Sequence, residues 1–203
     1  HYTPIWLYSL MRYAIYVDEN EQVLRSPFFH YYFDYFKTLL CPAGVVPDFG
    51  DSKWRSRWSD YVPILEKGAA IYQNGETKWA ATEVLLQNLD TESNALHQAM
   101  VLMDAYKWAD FDLEPQEPTS KSAEALDDIV GKKVVFRDGW AESSTYLLLN
   151  YRDEGSGAGL YREYLRSNLS VEEEKMHHGH ADENSIPLLM KNGAVLLHDA
   201  GYR

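Results

Sequence analysis

The dipeptide Asn192-Gly193 constrains this chain more than any other pair of residues in it. Both positions tolerate the positive φ that a two-residue turn requires, and apolar runs flank them on each side. Ser185 to Met190 and Ala194 to Asp199 therefore read as an antiparallel hairpin. If Lys191 faces Ala194 across the turn, side-chain alternation puts Ile186, Leu188, Met190, Val195, Leu197 and Asp199 on one face. Asp199 then ends an apolar stripe, where a carboxylate is costly unless a cation, a metal or several donors meet it.

Just upstream stand His178 and His180. In an extended segment, residues two apart point to one side, so both imidazoles can approach one centre. A straight hairpin would place Asp199 roughly 20 Å from His180, at about 3.3 Å per residue. The chain must bend between Ala181 and Asn184 if the two share a metal. Taken alone, an H-x-H pair is a weak metal signal and more often marks surface or hydrogen-bonded histidines.

The first half of the chain has a different period. Pro4 to Val17 is apolar on nearly every face, with Thr3 as N-cap and Pro4 at the first helical position, and reads as a buried helix. Phe28 to Leu40, Val62 to Tyr72, Lys78 to Leu89 and Ala95 to Trp108 read as further helices. Period alone does not separate a bundle from helical hairpins arranged as a toroid. Glu114 to Ser120 mixes proline with charge and ends the helical part. Beyond it, Ala123 to Ile129 suggests a short helical turn, Val134 to Arg137 and Thr145 to Tyr151 suggest strands, and Leu160 to Met176 a helical excursion. The expected class is α+β: a helical part over 1–112, a linker over 113–130 and an antiparallel β part over 131–203.

A chain of 203 residues that is 45% hydrophobic and 25% charged has the composition of a folded domain. Its net charge of −12 argues against a nucleic-acid partner, which would need a basic surface. Any acidic ligand must be met by a local basic or metal-lined cleft. Cys41 is the only cysteine, so no internal disulfide forms. No apolar run is long enough to span a membrane, and the opening residues His1-Tyr2-Thr3-Pro4 do not read as a signal peptide. They read as a piece of a longer protein.

The motif H-G-H-A-D at 178 to 182, an apolar strand, Asn192-Gly193, and L-L-H-D-A-G-Y at 196 to 202 together resemble the signature of the heparinase II/III-like polysaccharide lyases. Two motifs in the right order and separation carry the likeness. The resemblance implies a helical toroid, here in part, followed by the start of an antiparallel β-sandwich. It implies that His178 is catalytic and that His180 and Asp199 bind zinc, with a third histidine that has no counterpart before Arg203. It also implies an acidic polysaccharide substrate rich in uronic acid, glycosaminoglycan or alginate-like, cleaved by β-elimination in a periplasmic or secreted setting. A homo-oligomer is compatible with it, and these 203 residues alone are expected not to form the complete enzyme.

Further site residues follow from the same likeness. P-D-F-G-D-S at 47 to 52 resembles a loop near the substrate cleft, which assigns Asp51 to substrate binding. Beside it, Trp54 and Trp58 can stack on sugar rings while Lys53, Arg55 and Arg57 meet carboxylates or sulfates. Alternatively, the two Trp close helix packing and the cations are solvated. Related lyases carry an active-site tyrosine at the start of an inner toroid helix, which points to Tyr2, with Tyr31 and Tyr32 as rivals. A phenol with a pKa near 10 needs nearby cations or metal to act as a base. F-R-D-G-W at 136 to 140 resembles the opening of the sandwich. Arg137 there is either a cleft cation or half of a structural ion pair. Two other functions share these residues: a non-catalytic acidic-glycan-binding protein and a zinc-dependent hydrolase.

Overall fold

The computed structural model describes residues 2–47, 55, 57–91, 95–119, 121–126, 132–151, 167–170 and 185–198. The chain divides into two compact units, His1–Val46 with Arg55–Thr119, and Pro47–Trp54 with Ser120–Arg203. The first is helical and the second holds an antiparallel sheet, so the class is α+β.

Five α-helices are described in the first unit: α1 (Tyr2–Tyr16), α2 (Pro27–Leu39), α3 (Trp58–Tyr72), α4 (Gly75–Leu86) and α5 (Ala95–Trp108), with a 3₁₀ turn at Glu21–Arg25 between the first two. Local chemistry sets several of their ends. Pro27 opens α2 with φ already helical and no N–H to satisfy. Asn74 caps α4 by accepting from the Thr77 N–H at 3.0 Å. α3 begins four residues before its expected start and carries Pro63 inside it. A proline this near the start removes one intrahelical bond and leaves the later turns intact.

α1 differs from the expectation of burial all round. Leu7, Met11 and Ala14, spaced by four and three, are buried, while Leu10, Tyr13 and Tyr16 are exposed. The core runs from this stripe through Phe29, Phe33 and Phe36 of α2 to Val62, Ile64, Leu65 and Ala69 of α3. Gly68 lets α3 approach α2 closely: a Cβ there would lie 2.7 Å from the Phe33 ring. The bend after α2 is fixed to the end of α4, where Asn88 Nδ2 donates to the Gly44 carbonyl at 2.9 Å. Gly44 has φ +67° and would press a Cβ against Gln87 and the Glu83 carbonyl, so a side chain is excluded twice over. Residues 113–119, expected as linker, belong to the helical unit, and the Gln116 N–H donates to the Gly75 carbonyl.

The sheet has strands β1 (Ala123–Leu126), β2 (Lys133–Arg137), β3 (Tyr146–Asn150), β4 (Ser185–Lys191) and β5 (Ala194–His198), each antiparallel to the next. Ala123 to Leu126 is thus strand and not the helical turn its Ala, Glu and Leu suggest. It pairs along its length with Lys133–Phe136, and ladder bonds override a weak local propensity. Val135, Tyr146, Leu148, Leu188 and Met190 are fully or nearly fully buried.

The hairpin turn is as expected: Lys191 faces Ala194, and Asn192 and Gly193 have φ of 50° and 72°. The straight register is not. Met190 faces Val195 but Leu189 faces Leu197 and Leu188 faces His198, so β5 holds one extra residue at Leu196. The expected stripe is buried only on β4, at Leu188 and Met190, while Val195 on the turn side of the bulge and Leu197 beyond it are exposed. β4 has its own irregularity: Leu148 faces Leu188, yet Asn150 faces Ser185, with Pro187 in the extra step. Proline has no N–H for a ladder, and a bulge is where a paired strand tolerates it. Among the described residues, no helix is long and apolar enough to cross a membrane.

Candidate functional site

Most of the expected site falls outside the described residues: Asp51, Trp54, His178, His180, Asp182 and Asp199 all do. So does nearly all of the Leu160–Met176 excursion. Tyr2 opens α1, and its side chain is likewise outside what is described. Among the described residues, no three His, Cys, Asp or Glu side chains gather as a metal site would require. Arg55 and Arg137 are placed.

Arg137 ends β2 opposite Tyr146 of β3. Its side chain is 1% exposed, its guanidinium carbon lies 3.6 Å from the Trp140 ring centroid and 5.4 Å from that of Tyr146, and its Nε is 3.6 Å from Glu124 on β1. A guanidinium is planar and weakly hydrated, so it can stack on aromatic faces where an ammonium would keep its water. The geometry is that of the ion-pair alternative with two aromatic faces added. It ties β1, β2 and the turn before β3 together.

Arg55 precedes α3 in a turn with two unusual backbone positions. Arg55 and Arg57 have φ of 57° and 60°, in the left-handed region that residues with a Cβ seldom enter. Arg57 occupies the N-cap position of α3 without making a side-chain cap. Its Nε instead donates at 2.6 Å to Asp60 Oδ2, one turn into the helix. Asp60 is wholly buried, and its other oxygen accepts from His97 Nε2 of α5, also at 2.6 Å. A buried carboxylate is stable only when cations and donors surround it, and here two short contacts do so. About a third of each partner side chain remains exposed.

A second buried carboxylate, Asp104 of α5, accepts from Tyr8 at 2.6 Å and Tyr16 at 2.8 Å, both on α1, with Arg12 Nε at 3.2 Å. The Trp108 indole N–H donates to the Tyr16 hydroxyl. Burial first, then the hydrogen bond to Asp104, pushes the Tyr8 phenol far above its ordinary range. Burial and the same carboxylate raise Tyr16 as well. Neither phenol is suited to give up a proton near neutrality. Both act as locks between α1 and α5.

The sequence reading found Arg55, Arg57 and Trp58 as a cluster but missed Asp60, His97 and Asp104. Asp60 lies 37 residues from His97 and Asp104 lies 96 from Tyr8, and no local spacing ties such pairs together. A weaker signal was present. Asp60 and Asp104 both lie in otherwise apolar helical stretches, where a carboxylate has to find partners.

Comparison with models of protein families, with curated proteins and with solved structures gives no match for this chain.

Proposed function

We propose that the chain is part of a polysaccharide lyase that cleaves a uronic-acid-containing polymer by β-elimination, its helices forming part of an (α/α) toroid and its sheet opening a β-sandwich. The observation that carries this is the pairing of H-G-H-A-D at 178 to 182 with L-L-H-D-A-G-Y at 196 to 202 across the Asn192-Gly193 turn. The mixed helical and antiparallel architecture is compatible with it.

In this reaction the uronate carboxylate is neutralised, a base takes the C5 proton, and the C5–H electron pair becomes the C4=C5 double bond. The C4–O bond breaks, its electrons leave on the glycosidic oxygen, and an acid protonates that oxygen. No water is consumed, and the new end carries a 4,5-unsaturated uronate. His178 as a neutral imidazole serves as base or stabilises the enolate-like intermediate, and Tyr2 exchanges the other proton. Asp51, Trp54 and Arg55 hold the sugar chain. His180 and Asp199 would hold zinc, which in this reading orders the segment bearing His178, with Asp182 as a partner for a nearby imidazole.

The test is incubation with alginate, heparan, chondroitin and hyaluronan, read by the absorbance of the enoate. Growth of that band with any of them supports a lyase. Reducing ends without the band would indicate a hydrolase, and binding without either a non-catalytic glycan-binding protein.

A further inference from the structure

α2 carries aromatic residues on more than its core side. Phe29, Phe33 and Phe36 are buried, whereas Phe28 is 47% exposed and Tyr32, four positions on and so on the same side of the helix, is only partly buried. Trp6 of α1, also partly buried, meets them there. Its ring centroid lies 5.8 Å from that of Phe28 and 5.5 Å from that of Tyr32, and the Phe28 and Tyr32 centroids are 5.2 Å apart. Tyr32 stands at 89° to Trp6 and 68° to Phe28, the edge-to-face arrangement that ring quadrupoles favour. Buried rings back the trio, Phe29 at 5.4 Å from Phe28 and Phe36 at 6.1 Å from Tyr32. These three rings are thus held by their own packing before anything binds, which lowers the ordering cost of a ligand.

A single exposed phenylalanine is ordinary, but three rings from two helices converging at a solvent-facing Phe28 are not. Their surface is too small for a protein partner. A wholly buried aromatic side chain covers about 150–250 Å², and these are already part covered, against roughly 800 Å² a side for a stable protein interface. A rigid aromatic patch of this size suits a ring that has an apolar face of its own. Pyranoses have one, made of C–H groups between outward-pointing hydroxyls. Stacking on that face needs no positive charge, which matters in a chain whose net charge of −12 gives an acidic polymer no general attraction. Trp6 also stands four positions after Tyr2 on α1, one helical turn from the tyrosine assigned to proton exchange in the proposed lyase. Trp58, which the sequence offers for stacking, is 2% exposed and has no face to give.

We infer that Trp6, Phe28 and Tyr32 form a platform on which one pyranose ring of the polysaccharide stacks, next to the point of cleavage. Its place beside the cleaved bond rests on the lyase reading, whereas the platform itself rests on the three converging rings.

The reporter is the Trp6 indole N–H in a nitrogen–proton correlation spectrum of the full chain, identified among six tryptophans by its loss in Trp6→Phe. The probes are hexasaccharides of alginate, heparan, chondroitin and hyaluronan, with polyglutamate as an acidic chain that has no sugar ring. At least one hexasaccharide is expected to shift the Trp6 resonance saturably while polyglutamate leaves it in place. Phe28→Ala should weaken that binding about three- to tenfold, the loss of one aromatic contact, and Phe28→Tyr, which keeps a ring, should stay near wild type. A Trp6 resonance unmoved by all four hexasaccharides overturns the platform. So does unchanged affinity in Phe28→Ala, or equal loss in Phe28→Tyr. A shift with polyglutamate as large as with the sugars overturns the pyranose assignment. Binding is read without cleavage, so a shifted Trp6 with no enoate formed leaves the platform standing and the lyase reading fallen. Enoate formation with Trp6 unmoved does the reverse.

Discussion

At the scale of single residues, chemistry and stability divide between different side chains. In the proposed lyase His178 is the residue assigned to the chemistry, with His180 two positions on as the metal candidate. His178→Ala should reduce turnover by about a hundredfold or more, the usual range for an acid–base residue, with bound zinc and melting temperature near wild type. Tyr8 belongs to stability. Its folded-state pKa is raised, chiefly by burial and by Asp104. Below about pH 10 both states keep the proton; above it the unfolded phenol ionises first, which favours unfolding, so stability falls as pH climbs. Tyr8→Phe should make that alkaline loss shallower without abolishing it, because Tyr16 and Tyr72 are raised too. Equilibrium unfolding at several pH values measures the slope, and an unchanged slope would show that Tyr8 is not held protonated by the fold. Residues of this second kind were the least legible in the sequence. Asp104 and Tyr8 meet only when α1 and α5 pack, and no local pattern encodes the meeting.

At the scale of elements, type and approximate extent were readable and register was not. Five helices and four of the five described strands lie where period and turn chemistry put them, because each is an amphipathic or capped segment whose signal is local. β1 was misread because Ala, Glu and Leu favour helix weakly and pairing with β2 overrides them. The bulges at Leu196 and Pro187 were out of reach because alternation is all that a strand sequence announces. Two glycines make the element-level account testable. Gly68→Ala should cost about 1–3 kcal/mol of overpacking against Phe33, partly offset by a gain of about 1 kcal/mol in helix propensity. Gly193→Ala meets no close neighbour, yet its φ of +72° should cost about 1–2 kcal/mol. Thermal or denaturant unfolding of both variants reads these changes. A clearly stabilising Gly68→Ala would mean that α2 and α3 are not seated as closely as the Phe33 contact requires.

For the whole molecule, the presence of a helical part followed by an antiparallel sheet was legible from the prolines and charges of Glu114 to Ser120 and the shift to strand patterning after Gly131, while the packing inside each unit was not. Assignment of the metal ligands and of the reaction rests on His178, His180 and Asp199, which lie outside the described residues. If His180 and Asp199 hold zinc, changing either to Ala should lower bound metal and melting temperature together, since a metal that binds the native state stabilises it by mass action. Full zinc occupancy in Asp199→Ala, measured by elemental analysis, would remove Asp199 from the ligand set. The most direct measurement of the central claim is mass spectrometry of the products formed from the acidic polymer that is cleaved. Elimination predicts new non-reducing ends that are unsaturated and lighter by one water than their hydrolytic counterparts. New non-reducing ends of full hydrolytic mass, with none lighter by one water, would contradict it.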